Sequence, residues 1–169
     1  MTVQVIPHDS TVPPRPPRPR VLFLCTGNSC RSQMAEGWAR ALHPHAIEAH
    51  SAGISPHGLN PLAVRAMREA GVDISTHASK RPDEIAGAPD TPFDLVVTVC
   101  GHADEHCPAF PGARVVHVGF DDPPRLAAAA RSDEEAMPHY RRVRDEIRTF
   151  IERLGDFLPA APIPPERRP

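Results

Sequence analysis

Four short apolar runs recur along the chain, separated by stretches whose apolar residues fall at helical spacing. RVLFLC at 20–25 is apolar after its first residue and lies between a proline and a Gly/Asn/Ser loop, which predicts a buried parallel strand. Residues 46–51, closed by Gly53, predict a second strand, DLVVTVC at 94–100 a third and RVVHVG at 114–119 a fourth. Over 32–43, Met34, Trp38 and Leu42 share one helical face and Pro44 ends the pattern. Asn60, Pro61 and Gly71 supply a cap, a first-turn proline and a terminating glycine for a helix over 61–70. A last helix is expected over 137–154, with Tyr140, Val143, Ile147, Phe150, Ile151 and Leu154 as its apolar stripe. Strands alternating with helices call for right-handed crossovers. The expected fold is therefore α/β, a central four-stranded parallel sheet covered on both faces in a three-layer sandwich.

In such sheets chemistry gathers at the C-terminal ends of the strands. Cys25 ends the first predicted strand, Cys100 ends the third, and Asp121 and Asp122 follow the fourth.

Composition narrows the function further. A chain of 169 residues suffices for one ordinary domain, and a formal net charge of −2 offers no electrostatic case for a nucleic-acid partner. No apolar run approaches the roughly 20 residues needed to cross a bilayer, so no membrane partner is expected. MTVQVIPHDS lacks the basic and apolar regions of a secretory leader, which makes the cytoplasm the default location. There the four cysteines, at 25, 30, 100 and 107, are expected to be reduced at rest and to serve catalysis, metal binding or redox chemistry. Prolines crowd 1–19 and 157–169, which read as solvated tails flanking a domain over 20–156, although TVPPRPPRPR could also present a polyproline II ligand. No oligomerisation signal is legible, and a monomer is expected.

The most informative stretch is CTGNSCR, a Cys-x5-Arg pattern set between a strand and a helix. A loop entering a helix N-terminus turns its N–H groups inward into an anion nest, and the helix dipole adds positive potential. Arg31 can grip two oxygens of a tetrahedral anion. Gly27 and Asn28 tolerate the positive φ that such a loop demands. The same field favours the Cys25 thiolate. The expected chemistry is an oxyanion held by the loop while the thiolate attacks its central atom. Cys30, inside the loop, reads as space-filling or as a second redox thiol.

CTGNSCRSQMAEGW, together with SAG at 51–53, VVTVC at 96–100 and FDDP at 120–123, closely resembles the thioredoxin-coupled arsenate reductases, which use the low-molecular-weight protein tyrosine phosphatase fold. The resemblance spans about residues 20–155. It implies Cys25 as nucleophile, and Thr26, Gly27, Asn28, Ser29, Cys30 and Arg31 as the oxyanion-binding loop. It also implies Ser32 as a hydrogen-bond partner of the Cys25 thiolate, Asp122 as general acid, and Cys100 and Cys107 as redox thiols. The implied substrate is arsenate, with phosphate or sulfate as competing oxyanions, the implied reductant is thioredoxin, and no cofactor is called for. Cys100 would displace arsenite from a Cys25 adduct, and Cys107 would move the disulfide to Cys100–Cys107. Seven residues of intact helix span roughly 10.5 Å, beyond the ~7 Å a disulfide tolerates. Any helix over 100–108 must therefore unwind on oxidation, and this segment is expected to be mobile. For Asp121, capping of the following turn is the favoured reading.

One position departs from the resemblance. Some members bind potassium beside the loop, and Asn28, Glu36 and Ser51 match three of its ligands, but Lys80 stands where a fourth, an aspartate, would be. The expectation is an ammonium in the ion's place. Two other readings compete with the reductase: a low-molecular-weight phosphatase, and a metal-binding or redox-sensing module built on Cys100, His102, His106 and Cys107.

Overall fold

The computed structural model describes residues 18–88 and 90–159; the proline-rich readings of 1–17 and 160–169 lie outside them. The chain runs β1 (Arg20–Cys25), α1 (Arg31–Leu42), β2 (Glu48–Gly53), α2 (Pro61–Glu69), β3 (Leu95–Thr98), α3 (Gly101–Glu105), β4 (Arg114–His117), α4 (Pro123–Leu126) and α5 (Asp133–Glu152). Short 3-10 turns occupy Pro82–Glu84 and Leu154–Phe157.

The four strands form one parallel sheet in the order β2-β1-β3-β4, as the alternation of runs predicts. β1 is buried along its whole length because it is central, with neighbours on both edges and helices over its faces. Phe23, Leu22 and Leu24 have no exposed surface, each contributing about 1.5–3 kcal/mol by burial. The β1-α1-β2 and β3-α3-β4 units step in opposite directions across the sheet. Right-handed crossovers therefore place α1 and α3 on opposite faces, which makes the three layers. α1 packs on β1, β2 and α5, while α3 packs on β1 and β3. The indole N–H of Trp38 donates to the Arg144 carbonyl at 3.1 Å, fastening α1 to α5.

β3 and β4 each end two residues earlier than expected, at Thr98 and His117, so that Cys100 caps α3 instead of ending a strand, and three other elements also differ. β2 lies two residues later than predicted, because its register pairs Arg20 with Glu48 and runs on to Cys25 with Gly53. α5 starts at Asp133, so that Pro138 sits inside it. Ser132 accepts from the Glu135 N–H at 3.2 Å, and the Glu135 carboxylate accepts from the Arg131 N–H at 2.8 Å, which fixes the earlier start. One helical bond is lost at Pro138, and burial of Met137, Tyr140 and Val143 around it outweighs the loss. α4 was not expected at all; it is a single turn opened by Pro123. At the far end, Phe157 stacks near Phe150, with ring centroids 5.3 Å apart, and Leu158 continues the packing.

Candidate active site

The loop from Cys25 to Ser29 is held from outside by its own carbonyls. Ile54 N–H donates to Cys25 O, Ser55 to Thr26 O, His57 to Gly27 O and Asn60 to Ser29 O, at 3.1, 2.8, 3.1 and 2.9 Å. The Asn28 carbonyl accepts from Gln33 Nε2 at 3.1 Å. With every carbonyl turned outward and satisfied, the loop's N–H groups are left to line the inside of the bowl. α1 begins immediately afterwards with no side-chain cap and no acidic residue in its first turn, so its N-terminal field stays open to an anion. The resulting cavity, about 340 Å³, is bordered by Cys25, Thr26, Ser29, Arg31, His57 and Asp122, among others.

Cys25 Sγ lies at the base of the loop. The Asn28 N–H donates to it at 3.1 Å, and Ser32 Oγ sits 2.9 Å away. Asn28 Nδ2 donates to Ser32 Oγ and to Ser51 Oγ, both at 2.9 Å. Ser32 therefore accepts from Asn28 and keeps its own O–H for the Cys25 sulfur. Ser51 in turn donates to Glu36 Oε2. Asn28 Oδ1 accepts from Gln33 Nε2 and the Lys80 N–H, at 3.1 and 2.9 Å. A buried, fully satisfied chain thus runs from Glu36 through Ser51, Asn28 and Ser32 to Cys25.

Asn28 holds φ at +46°, the one non-glycine among the described residues with positive φ. Gly27 does not, contrary to expectation. The space beside it is taken by His57, an exposed side chain whose Nε2 would lie 2.0 Å from a Cβ there and would have to turn aside. His57 is a site residue that the sequence reading missed. It belongs to the SPHGLN loop, whose only signal is its position just past the C-terminal end of β2.

Arg31 and Asp122 close the bowl from the side. Arg31 Nη2 lies 3.1 Å from Asp122 Oδ1, and Nη1 donates to the Phe120 carbonyl at 3.1 Å. Asp122 occupies the cap position of α4, yet its carboxylate makes no capping bond. Asp121 does not cap the turn either; its carboxylate pairs with Arg142 of α5 at 2.8 Å, reaching across to the neighbouring helix.

All four cysteines are free thiols. Burial pushes the Cys30 thiol far above its ordinary range, against the pull of Arg31, which fits space-filling better than redox work. Continuing the β1–β3 register past Leu24–Thr98 brings Thr26 beside Cys100. There Thr26 Oγ1 lies 3.4 Å from Cys100 Sγ, which is itself buried at the start of α3. Cys107 lies two residues beyond α3, half-buried. The His102 and His106 rings lie 4.2 Å apart on the exposed side of α3, and no group of three or more His, Cys, Asp or Glu among the described residues is arranged to hold a metal.

Residues 20–160 match the family described as low molecular weight phosphotyrosine protein phosphatase. The arsenate reductase of Halalkalibacterium halodurans is 52% identical over 137 residues, covering 78% of this chain and 94% of its own. A solved structure of an arsenate reductase in the phosphate binding state aligns over 82% of this chain and 98% of its own, at 28% identity and TM-score 0.63. A thioredoxin-dependent arsenate reductase of Corynebacterium glutamicum aligns over 83% of this chain and 62% of its own, at 28% identity and TM-score 0.59. Fold, matched span and these relatives agree: the chain belongs to the low-molecular-weight phosphotyrosine protein phosphatase family, with arsenate reductases among its similar members.

Proposed function

We propose that the protein reduces arsenate to arsenite through a three-cysteine disulfide cascade that thioredoxin resets. The observation that carries this reading is the contact between Thr26 and Cys100, which puts a second thiol one residue from the nucleophile. The anion loop, Arg31 and Asp122 would serve a phosphatase equally well. A thiol at that place serves a reductase, which must draw two electrons from sulfur.

The steps follow from the residues. Loop N–H groups and Arg31 hold the oxyanion, and Arg31 exchanges its Asp122 partner for substrate oxygens. Cys25, steadied by Ser32 and Asn28, attacks arsenic(V). Asp122 protonates the departing hydroxyl. Cys100 then attacks Cys25 Sγ, and the sulfur–arsenic bond breaks with its electron pair left on arsenic, so arsenite leaves and a Cys25–Cys100 disulfide remains. Cys107 attacks Cys100 Sγ and frees the Cys25 thiolate. An external dithiol such as thioredoxin reduces the Cys100–Cys107 disulfide.

A potassium ion does not fit beside this loop. Glu36 Oε1 is paired with Arg40 at 2.5 Å, and Oε2 takes the Ser51 hydroxyl with Lys80 Nζ 3.7 Å away. The side chain of Glu36 is only 2% exposed, so two cations of the chain already meet its charge, and Asn28 Oδ1 is filled. Lys80 takes the electrostatic place of an ion, and no potassium requirement follows.

Arsenate turnover with thioredoxin, thioredoxin reductase and NADPH tests the proposal. The wild type should turn over repeatedly, while Cys25→Ser and Cys100→Ser should not. A wild type that reduces no arsenate yet hydrolyses p-nitrophenyl phosphate would return the protein to the phosphatase reading, and sustained turnover by Cys100→Ser would remove Cys100 from the cascade.

A further inference from the structure

Cys107 cannot reach Cys100 while α3 is intact. The two residues flank a five-residue helix whose Asp104 N–H and His106 N–H bond back to the Cys100 and His102 carbonyls, at 3.1 Å each. Intact, this spacing amounts to about 10 Å, against the ~7 Å that a disulfide tolerates. What holds α3 in place therefore decides when the third thiol can act.

Three side chains meet at that point. The Thr98 hydroxyl, at the C-terminal end of β3, lies 3.0 Å from Asp104 Oδ1 and 2.9 Å from His117 Nδ1. His117, the last residue of β4, also places Nδ1 3.7 Å from Asp104 Oδ1. Thr98 is fully buried in the frame of the sheet, whereas Asp104 rides on the helix. The contact thus ties the segment between the two redox thiols to two strands of the sheet, which lie outside the helix that must unwind.

We propose that Asp104 is a positioning residue that latches α3 onto Thr98 and His117 in the reduced protein and sets how readily the Cys100–Cys107 disulfide forms. This rests on the three-cysteine reading above. Closing the disulfide breaks the helical bond between Asp104 N–H and Cys100 O, carries Asp104 out of register and opens the latch. In that step the Cys107 thiolate attacks Cys100 Sγ, the Cys100–Cys107 bond forms, and the Cys25–Cys100 bond breaks with Cys25 leaving as thiolate. The proton lost by Cys107 goes to solvent. The latch also restrains the attacking group: burial, and after it the Asp104 carboxylate, pushes the Cys107 thiol above its ordinary range. Reduction of the disulfide lets α3 re-form and the latch close, which returns Cys100 to its place beside Thr26.

Asp104→Ala removes the acceptor, and Thr98→Val removes the buried hydroxyl with little change in volume. Two readouts are taken on full-length protein: amide exchange over 101–107, and the equilibrium between Cys100–Cys107 disulfide and dithiol in glutathione buffers, read by mass spectrometry. A net hydrogen bond of about 1 kcal/mol corresponds to roughly a fivefold to tenfold change. Both variants should exchange faster by about that factor in 101–107 when reduced. They should not differ from wild type when oxidised, nor in β1 and α1 in either state. The disulfide should form more readily by the same factor, which places the potential about 20–30 mV lower. Unchanged exchange or an unchanged disulfide equilibrium in both variants overturns the latch, as does faster exchange throughout the molecule. A wild-type protein that forms no Cys100–Cys107 disulfide in any buffer overturns the cascade itself, which is a separate result.

Discussion

Arg31 and Asp122 face each other at 3.1 Å across the mouth of the anion loop, one from the start of α1 and the other from the turn after β4. The arginine side chain is 16% exposed and the aspartate 37%, so the pair is partly screened by water and can open when an oxyanion competes for the guanidinium. In the proposed mechanism the carboxylate is then left beside the substrate, where an acid is needed.

Splitting the two roles is a direct check. Asp122→Asn should leave inorganic phosphate binding unchanged or tighter, because it removes a negative charge from the bowl. The rate of arsenate reduction should fall by about 100-fold or more, the usual scale of general-acid catalysis. Arg31→Lys should instead weaken phosphate binding, since a point charge replaces a two-pronged donor. Binding by calorimetry and steady-state kinetics separate the outcomes.

Gly27 and Gly53 provide a test of packing. A Cβ at Gly27 would meet only the exposed ring of His57, at 2.0 Å, and that ring can turn aside, so Gly27→Ala should cost little phosphate affinity. A Cβ at Gly53 would meet the backbone of the loop itself, Asn28 N and Thr26 O both at 2.8 Å, so Gly53→Ala should distort the loop and weaken phosphate binding clearly more. Equal losses in the two variants, measured by calorimetry, would contradict the space argument.

The Lys80 ammonium beside Glu36 bears on ion dependence. Thermal stability and turnover of the wild type should be the same in potassium and sodium chloride. Lys80→Asp, which returns a carboxylate to that place, should lower stability in sodium and recover part of it in potassium. Specific stabilisation of the wild type by potassium would contradict the assignment.

Two half-buried histidines set a pH dependence. Burial lowers the pKa of His50, although Glu48 at 2.7 Å opposes the shift, and burial likewise lowers that of His77, whose Nδ1 faces Gln33 Oε1 at 3.0 Å. A base held neutral in the fold takes up its proton more readily when unfolded, so the unfolded state binds more protons below the ordinary value of 6.5. Stability from these groups is complete above that pH and declines as pH falls below it. The melting temperature should be lower at pH 5.5 than at pH 7.5, and His50→Gln and His77→Gln should each flatten the difference.

How much of this was legible in the sequence depends on the range of each interaction. β1 could be read directly, because a central strand buried on both faces needs an apolar run, which Val21–Cys25 supply, while Arg20 at its start is buried against Glu48 and the Ala86 carbonyl. The strand–loop–helix arrangement around Cys25–Arg31 could be read because its strand, small residues, arginine and helix are consecutive. The start of α5 was hidden by Pro138, which imitates a first-turn proline although the cap, Ser132, lies six residues earlier. The pairing of Asp121 with Arg142 and the packing of His57 on Gly27 join segments distant in sequence, and no local pattern marks either. The same holds for Thr98, Asp104 and His117, which read as ordinary residues of a strand, a helix and a strand until the fold brings them together.

The proposed sulfur route from Cys25 to Cys100 can be tested in a single turnover. Reduced Cys107→Ser protein, given one equivalent of arsenate and no reductant, should release one equivalent of arsenite. Peptide mapping should then find Cys25 joined to Cys100. Arsenate left unreduced, with Cys25 and Cys100 both recovered as free thiols, would contradict the account.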